Sequence, residues 1–271
     1  MKRFVFIISD GTGLTAESLA NSLLSQFENI VFEKESLPYI DTLDKAEAFL
    51  TRINEHQEKT GLKPLLFMTI VNPKISAVIQ QAQACIFDLF STFLAPLEQE
   101  LNSRSSYTVG RTHGVSDTES YNHRIDAVNY TLAHDDGLKT RGYDKADIII
   151  IGVSRCGKTP SCLYMALQFG ILAANYPITD QELSHLQLPE SLKPYKKKCF
   201  GLTIDPQRLQ HIRSERRPNT QYASVEQCRL EISEVEAMYQ EERIPYLNST
   251  RFSIEEIATK VMTAAGLQRK I

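Results

Sequence analysis

No stretch of the 271-residue sequence approaches the roughly 20 consecutive apolar residues that a membrane-spanning helix requires. The N-terminus, MKRFVFIISDG, begins with basic residues, but its apolar run is too short for a signal-peptide core and is followed at once by an acid and glycines. Cysteine is scarce and unpaired in pattern. Cys85, Cys156, Cys162, Cys199 and Cys228 form no C-x-x-C and lie near no histidine at metal-ligand spacing. Their odd number and the missing signal predict a reduced, cytoplasmic protein with free thiols and no membrane partner. There is no excess of one charge either. A net charge of -3 gives no case for nucleic-acid binding, and the basic clusters Lys196–Lys198 and Arg213–Arg217 read singly as solvated surface. Internal repeats and low-complexity segments are also lacking.

What is present is an ordinary globular composition, 42% hydrophobic and 23% charged, on a length that suits one large or two ordinary domains. Strand-like and helix-like segments alternate from the start. Phe4–Ile8 reads as a buried strand that turns at Ser9–Gly13 into a helix with Leu19, Leu23, Leu24 and Phe27 on one face. Ile30–Phe32 and Leu65–Val71 read as further strands. Between them a helix is expected to bury Leu43, Ala46, Phe49, Leu50 and Ile53 and to end at Gly61. Pro73 opens another helix, at a position where its missing N–H costs little. Such alternation predicts a parallel sheet covered by helices on both faces. The polar segment 102–118 reads as a long loop, and a helix with Tyr121, Ile125, Val128 and Leu132 on one face runs into His134-Asp135-Asp136-Gly137.

A second α/β series then begins. The predicted organisation is an N-terminal parallel-sheet α/β domain over 1–140 and a P-loop, kinase-like α/β domain over 141–271. The strand Ile148–Ile151 leads into Gly152-Val153-Ser154-Arg155-Cys156-Gly157-Lys158-Thr159, which satisfies G-x-x-x-x-G-K-[ST]. A helix that is apolar nearly all round follows (Leu163, Met165, Ala166, Leu167), and it is expected to be covered on several sides. In such a loop the glycines let main-chain N–H groups face phosphate oxygens, and the next helix adds its positive end. Lys158 would reach the terminal phosphates and the Thr159 hydroxyl would hold Mg²⁺.

A phosphate loop is usually complemented by an acid at the end of a neighbouring strand. Asp205, after the strand Cys199–Ile204, is the candidate for metal ligand or base, and it also suits the N-cap of the helix opened by Pro206. Arg155, Arg213, Arg216 and Arg217 could neutralise charge on a migrating phosphoryl group or form surface ion pairs. His134, beside Asp135 and Asp136, could serve as base, orienter or metal ligand, or simply end a helix. The turn Ser9-Asp10-Gly11-Thr12-Gly13-Leu14-Thr15 could hold an anion through Ser9, Asp10, Thr12 and Thr15, or be a capped turn. No N-K-x-D follows the phosphate loop, and Asp10–Gly13 fits D-x-x-G only upstream of it, which argues against a GTPase. Ser253 and Glu256 form a capping-box pattern ahead of the last helix.

Beyond the phosphate loop, six stretches carry a resemblance: ISDGTGLTAE (8–17), HRIDAVNYTLAHDDG (123–137), GVSRCGKTP (152–160), FGLTIDPQRL (200–209), IRSERRPNTQYAS (212–224) and STRFSIEEIATKV (249–261). Over essentially its whole length the chain resembles the phosphoenolpyruvate synthase regulatory proteins. These are bifunctional kinase/pyrophosphorylases grouped with the regulators of pyruvate, phosphate dikinase. The resemblance implies a kinase that uses ADP to phosphorylate a threonine of phosphoenolpyruvate synthase. It also implies a phosphorylase that removes that group with inorganic phosphate and releases pyrophosphate. It carries the nucleotide site onto Gly152–Thr159, where Cys156 holds a variable position. Two alternatives remain: a small-molecule P-loop kinase, and a nucleotide-sensing regulator without catalysis. The sequence does not reveal the oligomeric state, though a homodimer would be unsurprising.

Overall fold

The computed structural model describes residues 1–108, 118–137, 139–183 and 186–271. Its contacts divide the chain into two compact units, Met1–Gly114 and Val115–Ile271. The division lies upstream of the boundary expected at 140. The helix Thr118–Ala133 packs on elements that follow residue 157, so it belongs to the second unit. Part of the loop read over 102–118 falls outside the described residues.

In the first unit β1 (Lys2–Ser9), β2 (Val31–Leu37), β3 (Leu65–Thr69) and β4 (Cys85–Asp88) form an all-parallel sheet in the order β2-β1-β3-β4. Successive residues of β1 point to opposite faces. Val5 and Ile7 cluster with Ala16, Ala20 and Leu24 of α1 (Leu14–Leu24). Phe6 and Ile8 cluster with Ala46, Phe49 and Ile53 of α2 (Leu43–Thr60) and with Ile75 and Ile79 of α3 (Pro73–Ile79). A strand covered on both faces needs no polar alternation, which is why this one reads as an unbroken apolar run. The faces of α1 and α2 are narrower than expected. Leu23, Phe27 and Leu43 are exposed, because the small residues Ala16, Ala20 and Ala46 take the sheet-facing places. α4 (Leu89–Leu101) follows β4 directly, with Asp88 as its N-cap accepting from Ser91 N–H at 3.0 Å.

The second unit comprises α5 (Thr118–Ala133), β5 (Ile148–Gly152), α6 (Lys158–Phe169), β6 (Ala173–Pro177), α7 (Asp180–Leu183), β7 (Cys199–Thr203), α8 (Pro206–Arg216), α9 (Val225–Glu241), β8 (Tyr246–Asn248) and α10 (Ile254–Ala264). Its sheet is also parallel, in the order β6-β5-β7-β8. The four isoleucines of β5 are no more than 1% exposed, and each such burial contributes about 1.5–3 kcal/mol. α6 is flanked by α5 and α10, though Leu167 stays exposed. α5 turns Ala127 and Thr131 inward, leaving Tyr121, Ile125 and Leu132 of the expected face outside. The capping box of α10 forms as read: Ser253 Oγ accepts from Glu256 N–H at 3.3 Å and Glu256 accepts from Ser253 N–H at 2.8 Å. Parallel strands bring all their C-terminal ends to one edge, where open α/β sheets bind ligands. The phosphate loop leaves from that edge at the end of β5, which has a strand on either side.

Candidate phosphate-loop active site

Gly152 closes β5 where no side chain fits. A Cβ there would lie 2.5 Å from the Leu202 carbonyl oxygen and 2.9 Å from Cys156 Sγ. Gly157, at φ 99°, turns the loop into α6, and no side chain caps the helix. The N–H groups of its first turn are therefore without a side-chain acceptor at the positive end of the helix. Lys158 folds into its own loop. It is 4% exposed, and its Nζ donates to Val153 O at 2.9 Å. Among the described residues no carboxylate lies within ion-pair distance of it. A nearly buried ammonium with only a carbonyl for company has the chemistry to hold an anion.

The rest of the loop is held from behind. Ser154 Oγ lies 2.9 Å from the Tyr222 hydroxyl, and Ser154 O accepts from Arg213 Nη2 at 3.2 Å. Ser249 Oγ donates to Cys156 O at 3.0 Å, and Tyr239 donates its hydroxyl to Ile151 O at 3.0 Å. Burial pushes the Cys156 thiol up, against the pull of Lys158, so it remains a neutral packing group. Arg155, at φ 77°, presents its side chain to solvent.

The expected acids and bases are placed differently from one another. Asp205 caps α8, its Oδ1 accepting from Gln207 N–H at 3.0 Å and Arg208 N–H at 2.9 Å, while its other oxygen stays outside the cap. The carboxylate beside Thr159 is Asp135, whose Oδ1 accepts from the Thr159 hydroxyl at 2.9 Å and from Asn175 Nδ2. Asn175, fully buried on β6, also accepts from Asp136 N–H at 3.0 Å, and its main-chain N–H donates to His134 O at 3.2 Å. His134 itself is a scaffold. Its Nδ1 sits 2.8 Å from Tyr130 O and its Nε2 3.1 Å from Arg141 O, and the ring stacks on Tyr130. With both nitrogens against carbonyls, neither is left for a substrate proton.

Of the arginines read as phosphate contacts, Arg213 is fully buried and pairs with Glu231, away from any open surface, while Arg216 and Arg217 are exposed at the end of α8. The turn Ser9–Thr15 belongs to the first unit. There Asp10 Oδ2 accepts from Val71 N–H at 2.6 Å and Asn72 N–H at 3.2 Å, and Ser9 Oγ accepts from Gly11 N–H at 3.0 Å. These bonds build the turn. Thr12 and Thr15 stay exposed on the rim of a cavity of about 430 Å³ that Thr69, Leu94 and Arg104 also line. Asn175, Tyr222 and Glu231 were not singled out from sequence. The available signal for Asn175 is a lone amide in the run Ala-Ala-Asn-Tyr-Pro.

With this geometry in view, the comparisons with known proteins are consistent across the whole chain. The profile of the kinase/pyrophosphorylase family matches residues 5–262. A protein of Legionella pneumophila (strain Corby), provisionally named a phosphoenolpyruvate synthase regulatory protein, is 68% identical over all of both chains. Proteins with the same provisional name from Hahella chejuensis and Stutzerimonas stutzeri are 57% and 55% identical, again over the full length of both. The chain is thus a member of the kinase/pyrophosphorylase family.

Proposed function

We propose that this protein inactivates phosphoenolpyruvate synthase by transferring the β-phosphoryl group of ADP to one of its threonines. The same protein would reactivate the synthase by phosphorolysis. The observation that carries the reading is Lys158, buried without a carboxylate partner at the uncapped start of α6. That arrangement fits a diphosphate better than any neutral ligand, and the names of the relatives supply the protein target. Among the described residues no helix is long and apolar enough to cross a membrane.

In the forward direction the threonine oxygen bonds to Pβ, the bond from Pβ to the α–β bridging oxygen breaks, and AMP leaves. Lys158 and the N–H groups of residues 152–159 would hold the phosphates and gain strength as charge moves outward. The hydroxyl proton needs an acceptor, and the oxygen of Asp205 outside the cap is the group proposed for it. Arg155, free at the loop's surface, would neutralise the migrating group. Mg²⁺ would shield the diphosphate, with the Thr159 hydroxyl as its protein ligand. In reverse, a phosphate oxygen attacks the phosphothreonine, its P–O bond breaks, pyrophosphate leaves and the threonine oxygen regains a proton. Thr12 and Thr15, on the rim of the first unit's cavity, are proposed as an inorganic-phosphate subsite of that unit.

The test is label transfer from β-³²P-ADP with Mg²⁺ onto purified phosphoenolpyruvate synthase, with Lys158→Ala as control. Label on a synthase threonine that disappears with the variant is the expected result. Absence of label, together with ATP-dependent phosphorylation of a small metabolite, would overturn the reading. For the phosphate pocket, a Thr12→Val/Thr15→Val double variant that keeps full phosphorolysis would remove that assignment.

A further inference from the structure

We infer that Asp135, which precedes the phosphate loop in sequence, is the carboxylate that positions the divalent cation of the nucleotide site, in the place that Asp205 was expected to fill. The inference rests on the nucleotide-binding reading above and adds the identity of the metal-side acid.

A hydroxyl has one proton to donate and two lone pairs to offer. Thr159 commits its proton to Asp135 Oδ1 at 2.9 Å and accepts a long contact from Asn175 Nδ2 at 3.4 Å, which leaves a lone pair of that oxygen for a cation. This is the state a cation ligand needs. Asp135 itself carries an uncompensated charge. Among the described residues no lysine, arginine or histidine lies within ion-pair distance of it, and its second oxygen makes no hydrogen bond. A half-buried carboxylate in that condition is costly unless a cation balances it. Its orientation is not left to chance either. Asn175 donates its amide N–H to Asp135, accepts from Asp136 N–H, and donates its main-chain N–H to His134 O. One fully buried residue of β6 thus pins three consecutive positions, and Asp136 takes a left-handed conformation (φ 48°) to meet it.

Asp205 is likewise half-buried and without an ion-pair partner among the described residues, but it is not tied to the metal-side hydroxyl. It makes no hydrogen bond with Thr159, and one of its oxygens is occupied by two N–H groups of α8. Asp135 is therefore a positioning residue: it orients the Thr159 hydroxyl and places a negative charge on the cation's side, directly or through a metal-bound water. The supporting amide comes from the strand on the far side of β5 from Asp205.

The experiment uses the full chain and Mn²⁺ as a spectroscopic probe, titrated by electron paramagnetic resonance with and without ADP. Wild type, Asp135→Asn and Asp205→Asn are compared, with thermal melts as a folding control. Asp135→Asn is expected to weaken Mn²⁺ in the presence of ADP by roughly tenfold or more, with metal-free ADP affinity changed by no more than about threefold. Asp205→Asn is expected to leave the Mn²⁺ titration unchanged. Should Asp135→Asn fold poorly, Asp135→Ser keeps an oxygen acceptor without the charge and is held to the same result. A Mn²⁺ curve for the Asp135 variants that overlays wild type, or a loss confined to Asp205→Asn, overturns the inference while leaving the nucleotide reading in place. Failure of wild type to bind ADP at all would sink both.

Discussion

Arg213 and Glu231 meet in a two-pronged ion pair inside the second unit, with Nη1–Oε1 at 2.8 Å and Nη2–Oε2 at 2.6 Å. The same guanidinium lies 4.1 Å from the centre of the Tyr222 ring, donates to Tyr222 O at 3.0 Å, and donates to Ser154 O in the phosphate loop. The pair thus ties α8 and α9 to the back of the loop. Breaking one partner leaves the other charge buried. Arg213→Met and Glu231→Leu are each expected to cost about 3–5 kcal/mol in urea unfolding, and the double variant to recover most of the loss. A double variant no better than the singles would show that the pair's contacts to Tyr222 and Ser154 matter more than its charge balance.

The two glycines of the phosphate loop differ in what they tolerate. At Gly152 a Cβ would strike the Leu202 carbonyl, which is strand backbone and cannot yield, so Gly152→Ala is expected to lose at least about 3 kcal/mol and to abolish ADP binding. At Gly157 the nearest atom to a Cβ is Ile257 Cδ1 at 4.0 Å, so only the positive φ penalises alanine, at about 1–2 kcal/mol. Urea midpoints of the two variants, read side by side, check the order.

Two buried hydroxyls, Ser161 Oγ and Thr131 Oγ1, have no hydrogen-bond partner among the described residues. Removing an unsatisfied buried polar group recovers its desolvation cost. Ser161→Ala and Thr131→Val are expected to be neutral or stabilising by about 1 kcal/mol each, visible as a raised melting temperature. A clear destabilisation of either would mean that its hydroxyl serves a bond formed in solution.

Burial pushes several weak acids up: the Cys162 thiol, the Cys199 thiol to about 12, and the Tyr130 and Tyr143 phenols. The folded chain keeps these protons at a pH where the unfolded chain sheds them, thiols first, near the ordinary value of 9.0. Their stabilising contribution is therefore complete below pH 9 and is lost as pH rises from there through about 12. Each buried thiol contributes a slope of at most about 1.4 kcal/mol per pH unit in that window, and the phenols add to the fall only above their ordinary value of 10.0. Urea midpoints should hold steady to about pH 8.5 and then fall, and Cys199→Ala should flatten the fall. A midpoint that rises toward pH 10.5 would contradict the assignment.

How much of this was legible in the sequence depended on the kind of signal. The strands β1, β3, β5 and β7 announce themselves as apolar runs, and the phosphate loop by fixed residues at fixed spacing. β4, β6 and β8 do not. β6 is Ala-Ala-Asn-Tyr-Pro, with no β-branched residue, and β8 has three residues. Both are strands because neighbours pair with them, which no local pattern records. That Asp135 is the acid beside Thr159 is hidden by the same gap. Asp205 was chosen because the strand before it was readable. Asp135 depends on Asn175, and Asn175 lies on a strand that was not. Arg213 reads from sequence as a phosphoryl contact or a surface ion pair because its partner Glu231 is eighteen positions away on another helix.

The pairing of Asp135 with Asn175 also sets an order of assembly. The signature Gly152–Thr159 and its acid are both complete in a chain that stops at residue 172, yet the amide that holds the acid belongs to the next strand. A nascent or truncated polypeptide ending there would carry every residue of the motif without a fixed carboxylate. The carboxylate beside Thr159 is therefore fixed only when β6 has emerged and paired with β5 at the edge of the sheet.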